Sequence, residues 1–146
     1  MTETKLKSAV FKYIESEIYD YPDTKREIKR LREQILYGSS AEDNTGGGRP
    51  SEPGRPTERI ASRLLSNRRL RNMEEIVEAI ESAYNQIPEE YQKLLRLKYW
   101  NHQSAQWKEI ADKCYVHPNT ATKYRRKFVH LVASKVGLST INKIGV

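Results

Sequence analysis

The chain has 146 residues, of which 37% are hydrophobic and 31% charged, with a formal net charge of +7 and a single cysteine, Cys114. This length allows one ordinary domain or two small helical ones with a linker, and it excludes a large enzyme. The positive charge favours an anionic partner, nucleic acid first, and the lone cysteine excludes an internal disulfide or a cysteine-rich zinc site.

The N-terminal residues Met1 to Lys7 mix both charges, and no apolar run follows that could serve as a signal peptide or membrane span. The expected location is the cytoplasm. Leu6, Val10, Ile14 and Ile18 recur every four residues, with Phe11 and Tyr13 widening the stripe. This spacing predicts an amphipathic helix from about Thr4 to Tyr19. Asp20-Tyr21-Pro22-Asp23 interrupts it. Ile28, Leu31 and Ile35 then mark a second helix that opens near Pro22 to Thr24, where proline suits the first turn, and stops at Gly38. The pair is expected to form an N-terminal helical hairpin over residues 1–37. Two helices alone bury little surface, so the hairpin is expected to pack on the rest of the chain or on its twin in a homodimer.

Residues 38–56 hold Gly46-Gly47-Gly48 and three prolines without an apolar period, the composition of a flexible linker. The glycine run lacks the Gly-Lys-Ser/Thr ending of a phosphate-binding loop, and no strand precedes it. Residues 57–146 are expected to form a C-terminal helical domain. Thr57 can cap a short helix through Leu65, and Ser66-Asn67 marks a break. Leu70, Met73, Ile76, Val77, Ile80, Tyr84 and Ile87 keep helical spacing up to Pro88, and Tyr91, Leu94, Leu95 and Tyr99 mark another helix. No segment alternates like a strand, so the expected class is all-α.

The charge is concentrated in two blocks. Residues 55–71 carry six basic side chains against one acidic, and residues 104–146 carry eight against two. The first block, Arg55 to Arg71, reads equally well as an arm on phosphates or as a soluble linker end.

Within the second block, residues 104–132 fill each buried place of a helix-turn-helix. Trp107 and Ile110 lie one turn apart, and Ala111 and Ala121 are small where two helices would cross closely. Cys114 closes the first helix and Val116 plugs the turn. Pro118 fits the first turn of the second helix, and Tyr124, Phe128 and Leu131 continue its inner stripe. The turn position that usually holds glycine, because the backbone there is left-handed, is Tyr115; if that geometry is kept it costs about 1 kcal/mol.

The outer face of the second helix is polar and cationic. His117, Asn119, Thr120, Thr122, Lys123 and Arg126 are the candidate base contacts, since amide, guanidinium and threonine groups match base edges in the major groove. Lys108, Arg125 and Lys127 are the candidate phosphate contacts. The alternative for such a face is an ordinary solvated helix side, but that would not require small residues at the crossing points. His102, His117 and His130 lack the close pairing of a zinc site, so neither metal nor cofactor is expected. Cys114 has no histidine or carboxylate partner at a helpful spacing, and Glu74, Glu75, Glu78 and Glu81 fit the solvated side of a helix; no catalytic residue is expected.

The stretch Ile87-Pro88-Glu89-Glu90-Tyr91, with Leu94 to Trp100, Trp107-Lys108-Glu109-Ile110-Ala111 and Tyr124-Arg125-Arg126-Lys127-Phe128, resembles the promoter-binding C-terminal domain of bacterial sigma factors. More closely, the whole chain resembles the RinA family of phage transcriptional activators, which shares that domain and the opening pattern of Ser8-Ala9-Val10, Lys12-Tyr13-Ile14-Glu15 and Tyr21 to Lys25. The resemblance covers nearly the full length apart from the Gly/Pro linker. It implies a phage or prophage regulator that activates late, packaging-related genes in a bacterial host. Double-stranded DNA is the expected partner, and the N-terminal helices are free to contact host RNA polymerase. Two other readings stand beside this one: a small-terminase-like packaging protein, in which the motif usually comes first in the chain, and a sigma-like polymerase subunit that binds DNA only within the holoenzyme.

Overall fold

The computed structural model describes residues 6–38, 56–101 and 106–138, and these residues are helical, with no strand among them. In chain order they form α1 (Ser8–Tyr19), α2 (Tyr21–Glu33) with a π-helical extension Gln34–Gly38, α3 (Pro56–Ser66), α4 (Arg68–Asn85), α5 (Glu89–Tyr99), α6 (Trp107–Lys113) and α7 (Pro118–Lys135). The breaks have local causes. Asn67 ends the run between α3 and α4 and accepts the backbone N–H of Leu70 on its Oδ1 at 2.9 Å, which caps α4. Pro88, before α5, is extended at ψ 142°. Residues 39–55 of the expected linker, and residues 104 and 105 of the expected motif, lie outside the described residues.

The chain divides into two compact units, and the division differs from the expected one. One unit comprises 1–22 and 76–146, the other 23–75. The first helix therefore belongs with the C-terminal helices instead of forming a separate 1–37 domain. Its burial explains why: Ile14 and Ile18 are completely buried in the same core as Leu94, Leu95, Phe128 and Val132. An isolated amphipathic helix this short is marginal in water, so its apolar stripe is satisfied by the larger core. Phe128, also fully buried, sits near Tyr84, Tyr99 and Trp100, with ring centroids 6.1–6.4 Å away. Trp100 donates its indole N–H to the Ile18 carbonyl at 2.7 Å, joining α5 to the end of α1.

The second unit has a small core of Ile28, Leu31 and Leu70. Polar bonds surround it. Glu27 accepts from Arg30 at 2.7 Å and from Arg69 at 2.8 Å, and Arg32 pairs with Glu74. In the arginine-rich stretch, Arg69 is thus engaged by Glu27, Arg71 donates to the Leu65 carbonyl at 3.2 Å, and Arg59 and Arg68 are exposed. Arg55 lies outside the described residues. None of the described helices is long and apolar enough to cross a membrane.

Candidate nucleic-acid interface

Two helices and a turn set the site. Ile110 and Ala111 of α6 and Ala121 of α7 are at most 2% exposed, and the two alanines allow the helix backbones to approach closely. α6 ends in a two-bond cap: the Val116 N–H reaches the Ala111 carbonyl at 2.9 Å and the Tyr115 N–H reaches the Asp112 carbonyl at 3.1 Å. That cap requires a left-handed residue, and Tyr115 supplies it at φ 57°. The glycine-like geometry anticipated at this position is therefore kept with a tyrosine in place. The end of α7 repeats the cap with Leu138 on Ala133 at 2.9 Å and Gly137 on Ser134 at 3.1 Å, and there the left-handed residue is a glycine, φ 86°.

α7 opens on His117, whose Nδ1 accepts the Asn119 backbone N–H at 3.0 Å, with Pro118 in the first turn. This cap satisfies a helix N–H that has no carbonyl partner, and in the neutral ring it leaves the proton on Nε2. His117, Asn119, Lys123, Arg126 and Lys127 are exposed, as is Lys108 on α6, while Thr120 is half-buried. Asn119, Lys123, Arg126 and Lys127 stand at helical spacings that keep them on one side of α7.

Two of the candidates are committed elsewhere. Arg125 is half-buried and turns away from that side: its Nε and Nη2 each lie 2.7 Å from Oε2 of Glu15 on α1. The Tyr99 hydroxyl donates to the same oxygen at 2.7 Å, and burial followed by this bond to Glu15 holds its pKa well above the usual phenol range. Arg125 is thus an internal brace, which removes it from the phosphate-contact set in this arrangement. Thr122 accepts the indole N–H of Trp107 on its Oγ1 at 3.0 Å, a bond that ties α7 to the first residue of α6. One lone pair of its hydroxyl is thereby engaged, and the side chain remains half-exposed.

The structure also shows contacts around α7 that the spacing of the residues does not indicate. Tyr91 of α5 stacks on Tyr124 of α7 at 3.8 Å and 13°, and the ammonium groups of Lys123 and Lys127 lie 5.8 and 5.9 Å from the Tyr124 ring. The Trp107 ring has Lys98 at 5.7 Å and Arg125 at 5.9 Å, contacts of cation–π type. Glu15 carries no local signal of its role, because its partner lies 110 positions away. Its one visible trace is a carboxylate placed next to Ile14 on the buried stripe of α1.

Cys114 is half-buried, and desolvation pushes its thiol pKa up against the opposing effect of Lys93 and Arg96. This is the setting of a packed small side chain instead of a nucleophile. Among the described residues there is no group of three histidine, cysteine or acidic side chains able to hold a metal ion.

A family model described as "Protein of unknown function (DUF722)" matches residues 12–134. Comparison with curated proteins and with solved structures returned no match.

Proposed function

For this chain, which belongs to the DUF722 family, we propose sequence-specific binding of double-stranded DNA in the service of transcription regulation, with α7 as the reading helix. The observation that carries the reading is the exposed polar row Asn119, Lys123, Arg126 and Lys127 on the outer side of a helix whose inner side is sealed by Ala121, Phe128 and Val132. An α-helix about 10–12 Å across fits the B-DNA major groove, which is about 12 Å wide. Asn119 has the amide that bonds adenine at two points, and Arg126 or Lys123 the donors for guanine. Lys127 and Lys108 neutralise phosphates, and the eight-to-two basic excess of residues 104–146 draws the helix toward the duplex. His117, as cap, presents Nε2 beside Asn119.

The resemblance to the RinA family supports activation of late, packaging-related phage genes as the biological role, with host RNA polymerase or a second copy as the protein partner. The direct test is enrichment of duplexes from a randomised pool by the full chain, followed by titration of the enriched duplex at several salt concentrations. Enrichment of a defined sequence, with affinity that falls steeply as salt rises, is the expected result. Failure to enrich any duplex refutes the reading.

A further inference from the structure

Tyr115 pairs an unfavourable backbone with a side chain that touches almost nothing. Its φ of 57° lies in the left-handed region, and the residue is 96% exposed. The equivalent cap at the end of α7 uses Gly137, which adopts this conformation without the clash that a Cβ introduces. The two backbone bonds of the cap hold the turn, but the side chain adds nothing to it: among the described residues no hydrogen bond to its hydroxyl and no ring contact is found. A strained, fully displayed aromatic with no side-chain contact inside the fold is a candidate for a contact made outside the chain.

The surroundings indicate the kind of partner. Lys113, two positions before it, is exposed, and the cations of Lys93 and Arg96 on α5 act on the adjoining Cys114. Asp112 is the nearest opposing charge in sequence. The turn therefore stands in a mainly cationic setting at the start of the reading helix, and a polyanion complements it.

We infer that Tyr115 contacts the DNA backbone at the edge of the groove that α7 enters, its phenol hydroxyl donating to a phosphate oxygen. Tyrosine is among the side chains that position proteins on phosphates in this way. The inference rests on the DNA-reading proposal above and adds a residue to that site.

The test uses the full chain and the duplex enriched by the unsubstituted protein, with Tyr115→Phe and Tyr115→Gly measured for both affinity and melting temperature. Tyr115→Phe keeps the melting temperature and lowers affinity about tenfold, the effect of losing a hydrogen bond to a charged acceptor. Tyr115→Gly relieves the strained backbone and raises the melting temperature by roughly 2 °C, while lowering affinity at least as much. A gain in stability with a loss of binding is a combination that a merely structural residue does not produce. If both variants keep the affinity of the unsubstituted chain for that duplex, the inference is overturned while the DNA reading stands. If the unsubstituted chain enriches no duplex, both fall.

Discussion

Arg125 of α7 and Glu15 of α1, 110 positions apart in the chain, meet through two bonds of 2.7 Å from the guanidinium to one carboxylate oxygen. The pair is partly shielded, with 28% and 13% side-chain exposure, and the Tyr99 hydroxyl completes the carboxylate's shell from α5. Three helices thus converge on one oxygen at the flank of α7. A bond of this kind orients α7 on its scaffold.

Removing one partner leaves the other partly desolvated without its opposite charge. Glu15→Ala is expected to destabilise the chain by about 1–3 kcal/mol, below the range for fully buried pairs because solvent screens part of the interaction. Denaturant unfolding of Glu15→Ala and Arg125→Ala, together with the double variant, measures the coupling; additive losses would show that the bond contributes nothing. Arg125→Ala should also leave the salt slope of DNA binding unchanged, since its charge is spent inside the fold.

The exposed residues of α7 should behave differently from one another. Arg126→Ala is expected to relax preference at one base pair by about 1–3 kcal/mol, because a base-edge contact is lost. Lys127→Ala should weaken all sequences alike and reduce the slope of log affinity against log salt by about 1. Titrations on the enriched duplex and on single-base variants separate the two effects, and unchanged binding in both proteins would refute the assignment.

The Trp107–Thr122 bond offers a stability test independent of DNA. Thr122→Val keeps the shape of the side chain but leaves a half-buried indole N–H without its acceptor, an expected loss of about 1 kcal/mol. Trp107→Phe with Thr122→Val removes donor and acceptor together, so Thr122→Val should cost less when Trp107→Phe is already present than when made alone. A double-mutant cycle by urea unfolding reads the difference, and a zero coupling energy would count against the bond.

In the smaller unit, the Arg30 guanidinium bonded to Glu27, with Arg69 alongside, holds the Glu27 carboxyl down to about 2 despite partial desolvation acting the other way. The unfolded value is near 4.5, so the stabilisation is fully present above that pH and is lost as pH falls through about 2. Glu27→Gln should therefore lower stability at pH 6, and the gap to the unsubstituted chain should close as the pH falls from 4.5 toward 2. High salt should narrow the gap as well, because the group is accessible to solvent. Unfolding midpoints across that pH range make the comparison; a gap that does not depend on pH would contradict the ion pairs.

By itself, the sequence determined what depends on near neighbours in the chain. The four-residue recurrence of Ile14 and Ile18, the break at Asn67 and proline in the first turn of α7 are local matters of backbone geometry and periodicity, and each is legible before any coordinates, whereas a tyrosine at a glycine position leaves the left-handed turn at Tyr115 open. The polar side of α7 is legible for the same reason. Only the tertiary structure decided which polar residues on that helix are open. It bonded Arg125 to Glu15 and Thr122 to Trp107, and of the two settings open to α1, the rest of the chain or a second copy, it placed α1 in the core of the C-terminal helices. Such pairings depend on how distant helices pack, and a carboxylate beside an isoleucine has the same local pattern whether water or an arginine 110 residues away faces it. The buried apolar stripe identifies the side of a helix that must be covered, while the packed core settles which helix covers it.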